Sequence, residues 1–371
     1  VLNIKKGDAA LTARTMGLMS TFAAIIELVV NPVLGKLSDQ YGRKPFLMMA
    51  PLVNAILHAF VAAMPMNLSM QFIDRMISGS MIFGFAAPAQ ASMADLYGSN
   101  PQKLGEMAAS AGAYFGIGCT LGPFIGSKLG GAKSFLASAV AFVATLVYVN
   151  TALQETLPDE NKKMFKFSDI NPVLFLKLFK TKCLGQLTVT AALQSFGDYV
   201  NIYDINNLYM IKVLGYGQSQ IGNFATTVGA SQIIGGKACA ALIKSTSLKT
   251  TTLISNLMWA IGMSIMGSAR TTSQAFAALL GFWTFGHQRA TPVGSYIQKY
   301  GAEQGMGRAE IVAAQGNLAA YVKVLIPLFY SNLFAWATSN GRNIPGLPYF
   351  VIAMLSVLSQ CVFMSAAPED K

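Results

Sequence analysis

The 371 residues are 53% hydrophobic and only 12% charged, with a mean hydropathy of +0.46; a soluble domain carries about 25% charged residues, so the composition excludes one and indicates an integral membrane protein. The apolar runs are about 20 residues long, which excludes the ~10-residue alternating segments of an outer-membrane barrel. The net charge of +11 lies mainly in loops, where basic residues set topology, so no nucleic-acid partner is expected.

Eleven spans are predicted, roughly at 10–34, 45–64, 67–93, 105–127, 134–153, 184–210, 218–241, 250–268, 272–297, 310–337 and 346–366. The first two flank Gly35-Lys36-Leu37-Ser38-Asp39-Gln40-Tyr41-Gly42-Arg43-Lys44-Pro45. This stretch reads as a tight loop at a membrane face, with Gly35 and Gly42 permitting the turns. Asp39, Arg43 and Lys44 are costly in hydrocarbon and must sit at the water boundary or pair with each other. The pattern G-x-L-x-D-x-x-G-R-K resembles the loop between helices 2 and 3 of the major facilitator superfamily, whose members normally have twelve helices. That resemblance implies that helix 1 is missing from this sequence and that the eleven spans are helices 2 to 12. Glu27 in the first span and His58 in the second are further ionisable groups within apolar segments. The second span holds no carboxylate, whereas tetracycline/proton antiporters of the superfamily use one there.

The third span carries Asp74 and Arg75, then Gly79 and Gly84. Charge inside a membrane is by default functional. As neighbours on a helix, the two side chains diverge by about 100°, so each needs its own partner. An arginine followed by a glycine resembles the superfamily pattern in which that arginine is tied to proton transfer. Asp95 closes the span. In relatives this end packs near the glycine-aspartate loop, which makes Arg43 its expected partner in a cytoplasmic latch, closed in one conformation and broken in the other.

In the fourth span Gly118, Gly122, Gly126 and Gly130 recur every four residues, and Pro123 removes a backbone hydrogen bond. Such a face is expected to let a neighbouring helix approach closely. G-x-x-x-G-P-x-x-G resembles the signature of the drug/proton antiporter branch, with Ser127 where a second glycine is usual.

Basic residues number fifteen on the side of the Gly35–Lys44 loop and eight on the other, which puts the first set in the cytoplasm or its equivalent. The long loop from Glu155 to Lys182 is then cytoplasmic. Within it, residues 171–180 read either as a short amphipathic surface helix or as a plain linker. This divides the chain into an N-terminal bundle (1–154), a linker (155–183) and a C-terminal bundle (184–371). Gly112 and Gly316, Pro123 and Pro327, and Pro88 and Pro292 each lie 204 residues apart, suggesting a duplicated unit of the kind from which transporters of this superfamily are built.

In the 184–210 span Gln194, Asp198 and Asn201 fall at i, i+4 and i+7, on one helical face. A polar stripe in an apolar span lines water or substrate, and the resemblance places this helix around the cavity. Asp198 is the leading candidate for a titrating carboxylate. In the 272–297 span Trp283 and His287, four apart, could form an aromatic wall with a polar tip, joined by Arg289. Deep cations at Arg289 and Lys323 suggest an anionic substrate, or partners for Asp198 and Glu27. Pro292-Val293-Gly294-Ser295 also looks like the tetracycline-resistance-like branch.

The resemblance implies an all-α integral membrane fold of two pseudo-symmetric six-helix bundles, and a secondary transporter working by alternating access in antiport with protons. Asp198, Asp74 and Glu27, tuned by Arg75, would carry the proton. Its partners would be a small-molecule substrate, protons and the lipid bilayer, and it would act as a monomer in a plasma or organelle membrane. Four scattered cysteines without a C-x-x-C pair predict no disulfide and no metal site. No cofactor is expected, no cleavable targeting sequence is visible, and the absence of G-x-x-x-x-G-K-[ST] gives no support to ATP drive. The chain is not expected to be an enzyme, since it has no HExxH or GxSxG pattern. The alternative is a non-transporting relative acting as scaffold, receptor or subunit of a membrane assembly. It draws on Lys244 standing where the repeat predicts an aspartate, and on Ile326-Pro327 where it predicts Gly-Pro.

Overall fold

A computed structural model describes residues 5, 7–97, 101–162, 164, 171, 173–198, 202–339 and 341–366. All regular structure among them is helical. Contacts divide the chain into two compact units, one of Met19–Asn171 and one joining Ile4–Leu18 to Pro172–Lys371. Five described helices are long and apolar enough to cross a bilayer by length and composition alone: Ala9–Tyr41, Arg43–Ala63, Gly131–Ala152, Glu310–Thr338 and Leu347–Ala366.

The first unit is built from the later part of α1 (Ala9–Tyr41), α2 (Arg43–Ala63), α3 (Leu68–Tyr97), α4 (Pro101–Leu129) and α5 (Gly131–Ala152). α2 packs between α3 and α5. Apolar side chains such as Tyr114, Phe115, Val140, Val147 and Tyr148 point outward and are exposed. That inversion suits a hydrocarbon solvent, which is as apolar as leucine and gives no reason to hide them. The loop predicted at Gly35–Pro45 is a correction: α1 continues through Gly35 and Asp39 to Tyr41, and Gly42 alone separates it from α2. Apolar residues recur through Leu34 and Leu37, and no proline follows Pro32 to stop the helix. Gly42 makes the turn at φ 102°, a conformation open chiefly to glycine.

The glycine face of α4 is a second correction. A Cβ built at Gly118 or Gly122 would meet nothing within 4 Å, and one at Gly126 only Ser134 Cβ at 3.8 Å. Among the described residues of the first unit no helix exploits that face. Gly130 lies outside α4 and forms the α4–α5 turn at φ 73°.

The second unit begins with the start of α1 and a 3₁₀ turn, Leu174–Phe179. The turn replaces the amphipathic α-helix considered for 171–180. It buries Leu178 and ties Lys177 to Glu310, while Pro172 lies outside the described residues. Then follow α6 (Lys182–Phe196), α7 (Tyr203–Lys212), α8 (Gln218–Ser245) and α9 (Leu248–Ser268). After them come α10 (Thr272–Ala278), a π-helical turn (Leu279–Trp283), α11 (Thr284–Gly286), α12 (Ala290–Glu303), α13 (Arg308–Thr338) and α14 (Leu347–Ala366). Polar N-caps start several of them: Thr181, Ser247 and Thr271 accept from the backbone N–H three residues on.

Two predicted spans are therefore not continuous helices. The 184–210 span stops at Gly197, which caps α6, and resumes at Tyr203. The 272–297 span passes through the π turn, where Thr284 Oγ1 donates to Leu279 O at 3.2 Å, and breaks again at residues 287–289 before α12. The core of this unit is aromatic: Phe224 and Trp283 meet edge to face, and Tyr209 meets Tyr349.

Candidate functional site

In the first unit, the last turn of α1, Gly42, the first turn of α2 and the end of α3 converge on Arg43. Its Nη1 donates to Ser38 Oγ at 2.9 Å and to Asp39 Oδ1 at 2.5 Å, and its Nε to Asp95 Oδ2 at 3.1 Å. Asp39 and Arg43 are four residues apart, and the continuity of the chain across Gly42 lets one carboxylate reach the guanidinium while Asp95 approaches from another side. The Arg43 side chain is only 8% exposed, against 33% for Asp39 and 19% for Asp95. The charges are thus partly removed from water, where their attraction is strengthened.

Glu155, beyond the end of α5, completes the cluster and escaped the sequence reading. Its carboxylate accepts from Arg43 N at 2.9 Å and Lys44 N at 3.1 Å, and from Thr156 N and Leu157 N at 3.0 Å each. Two of these donors open α2, so an anion sits where the helix dipole is positive and its first N–H groups lack partners. Gly42 makes room: a Cβ there would overlap Glu155 Oε2 and lie 2.9 Å from its Cδ. Lys44 Nζ donates to Asn150 O at 2.9 Å, a second tie between α2 and α5.

Burial pushes the Glu155 carboxyl up, but the four backbone donors outweigh it and hold it below its ordinary 4.5. A depressed carboxylate stabilises fully above its unfolded value and loses that contribution as pH falls through the lower folded value. Glu155→Gln should therefore lower the melting temperature near pH 7, with the gap to wild type closing as pH drops below 4.5. Paired melts from about pH 7 to about pH 3 check this; a gap independent of pH would mean that the charge of Glu155 is immaterial.

Deeper in the unit, Asp74 and Arg75 turn to different partners. Asp74 Oδ1 accepts from Ser78 Oγ at 2.8 Å and lies 3.5 Å from His58 Nε2, while Arg75 Nη2 donates to Ser20 Oγ on α1 at 2.9 Å. Glu27 is buried beside α3, with its Oε1 3.2 Å from the position of a Cβ on Gly79.

In the second unit the breaks after α6 and before α12 face each other across Arg289, which is 2% exposed. Arg289 Nη2 donates to Gln194 O at 2.8 Å and Gly197 O at 3.1 Å, Nη1 to Gly286 O at 3.4 Å, and the guanidinium lies 4.2 Å from the Trp259 ring centre. It caps the carbonyl end of α6, where the dipole favours a cation. Gln194 Nε2 returns a bond to Arg289 O at 3.1 Å and another to Asn256 Oδ1 at 3.0 Å, and Asn256 Nδ2 reaches Gln360 Oε1 at 2.8 Å. Asn256 and Gln360 are polar interruptions of apolar spans, a signal left unused in the sequence reading. The continuous stripe is a correction: Gln194 is on α6, Asp198 lies past its end, and Asn201 is outside the described residues. The charge of Asp198 still acts on both His287 and Arg289. His287 sits 5.0 Å from Trp259 and 6.5 Å from Trp283 between ring centres, and Trp283 is wholly buried in the core.

A family model described as Major Facilitator Superfamily matches residues 4–320. Tetracycline resistance protein, class B, of Escherichia coli is 26% identical over 194 residues, which are 48% of this chain and 47% of that protein. Hippocampus abundant transcript-like protein 1 of Homo sapiens is 22% identical over 377 residues, covering 92% of this chain and 71% of that one. The crystal structure of the nucleoside transporter NupG matches with a TM-score of 0.73 at 14% identity, over 98% of this chain and 91% of that one. That last likeness is one of fold alone. The chain spans about half or less of the length of the first curated relatives it matches.

Proposed function

The chain belongs to the Major Facilitator Superfamily and is an integral, multi-pass membrane protein, and from that premise we propose that it is a secondary transporter moving a small molecule by alternating access in antiport with protons. The observation that carries the reading is the Arg43 cluster. One guanidinium draws together the ends of α1 and α3 at the water boundary through Ser38, Asp39 and Asp95. Such a charge cluster can hold one conformation and open in the other, because its two carboxylates keep partial access to water and can exchange their partner for it. In this reading the two units act as pseudo-symmetric bundles, and Asp198, Asp74 and Glu27, with Arg75, take part in proton coupling. Gln194, Asn201, Trp283, His287 and Arg289 face the substrate in one of the two conformations. The likeness to a tetracycline resistance protein supports a drug-like small molecule as substrate.

The test is proton movement in sealed proteoliposomes under an imposed pH gradient, with a panel of amphipathic drugs, sugars and organic anions. One class should release protons from wild type. Asp39→Asn should insert and fold normally yet lose about tenfold in rate, equivalent to ~1.4 kcal/mol of barrier. Wild-type rates in Asp39→Asn would sink the latch. Silence in both the proton assay and labelled uptake would favour a scaffold or subunit role instead.

A further inference from the structure

The pair His58–Asp74 is a separate feature of the first unit, apart from the Arg43 cluster. We infer that it is the proton-binding site of this chain, the place where the exchanged proton is taken up and released; the inference rests on the antiport reading above. His58 comes from the last turns of α2, Asp74 from the first turns of α3 and Ser138 from α5, the two helices between which α2 packs. His58 Nε2 lies 3.5 Å from Asp74 Oδ1, and His58 Nδ1 lies 2.9 Å from Ser138 Oγ. The two ionisable side chains are 15% and 13% exposed. Phe135 and Phe142 stand edge-on to the imidazole at 5.4 and 5.3 Å between ring centres. With Ser138 they occupy one face of α5, three and four residues apart.

Ser138 is what lets this pair hold a proton without rearranging. A hydroxyl both donates and accepts, and its hydrogen turns to suit its partner. With the imidazole neutral, Ser138 O–H donates to Nδ1 and Nε2–H faces the Asp74 carboxylate. When one proton is added at Nδ1, that N–H donates to Ser138 Oγ, whose hydrogen rotates away, and Nε2–H still faces Asp74. The proton thus enters and leaves at Nδ1 with no heavy atom displaced. Ser78 keeps its own bond to Asp74 at 2.8 Å in both states.

Among the described residues, the charged groups of the packed helices make contacts of their own or lie toward the helix ends. From α3 the neighbouring Arg75 turns to Ser20 on α1. Of the ionisable residues of α5, Lys133 is exposed in its first turn and Tyr148 is exposed further along the helix. On α2, Arg43 and Lys44 are at the far end, roughly 20 Å away at 1.5 Å per residue. Glu27 of α1 lies beside Gly79, more than one turn along α3 from Asp74. The same three residue types form a nucleophilic triad in hydrolases, but Ser138 lies inside a helix whose N–H groups are already bonded, which leaves no oxyanion site.

The chain has two histidines, so protein labelled with ¹⁵N-histidine in lipid nanodiscs yields two imidazole spin systems, and the one lost in His58→Gln identifies His58. We expect its ring to gain a second N–H as the pH is lowered, with the curve displaced in Asp74→Asn and in Ser138→Ala but not in Ser138→Thr. In the proteoliposome panel, Asp74→Asn and His58→Gln should lose about tenfold or more of substrate-dependent proton release while still exchanging the same labelled compound without a gradient. A His58 ring fixed in one protonation state, or wild-type proton release from Asp74→Asn, overturns the site and leaves antiport standing. Absence of proton release from wild type across the whole panel removes the antiport reading, and this site with it.

Discussion

Arg289→Ala should be the most destabilising single substitution in the second unit, on the order of 3–5 kcal/mol. The guanidinium is buried, and its removal strands the carbonyl of Gln194 at the end of α6 and leaves Gly197 O with only the Trp259 Nε1–H at 3.0 Å. Each buried acceptor left without a donor costs about 1–3 kcal/mol, and the stacking on Trp259 is lost with them. Arg289→Lys should recover less than half, because an ammonium lacks the second nitrogen that reaches Gly286 O and the plane that covers the Trp259 ring. Two of the three tryptophans, Trp259 and Trp283, are buried at this site, whereas Trp336 is 48% exposed. Intrinsic fluorescence during thermal unfolding in detergent therefore reports the site directly. A variant that melts with wild type, its emission unshifted, would mean that the two helix breaks are held by something other than Arg289.

Arg43→Ala should reduce transport by about a hundredfold, ~2.7 kcal/mol of barrier, and should also lower stability. Without the cation, Asp39 and Asp95 are left as two carboxylates at one partly desolvated place. Arg43→Lys should not restore function, since Nε and Nη1 now serve different partners and one ammonium cannot hold that fork. Adding Asp95→Asn to Arg43→Ala should recover stability by removing the like-charge conflict while leaving transport impaired. Groups in one network are coupled, so melts and initial rates of the single and double variants decide the matter. Strictly additive effects would show that Arg43 and Asp95 act independently and that their 3.1 Å contact has no part in the cycle.

The contrast between the clusters explains how far a sequence can be read. The Asp39–Arg43 contact spans four residues of one short charged stretch and was within reach of the sequence, although the two residues fall on different helices across the Gly42 turn. Arg43 with Asp95 was accessible through the resemblance of the surrounding motif. Glu155 was not, because it is a single acidic residue in a polar loop, 112 positions from the backbone N–H it meets. The same holds for Asp74: spacing showed that it needed a partner, but His58 and Ser138 arrive from other helices. The polar stripe failed for a different reason. Periodicity assumes an unbroken helix, whereas Gly197 ends α6 before Asp198. The glycine face of α4 failed because small residues permit close packing without enforcing it.

By itself the sequence determined the class of molecule: scarce charge and helix-length apolar runs leave only a helical membrane protein, since backbone polar groups in hydrocarbon must be satisfied within the segment. It also determined where charge is tolerated, because each intramembrane ionisable residue stands out against an apolar background. Tertiary structure alone decided which charges meet, where helices break and which side chains are buried. Those outcomes rest on contacts between residues tens to hundreds of positions apart, such as Gln194 with Arg289 or His58 with Ser138, and short-range periodicity carries no information about them.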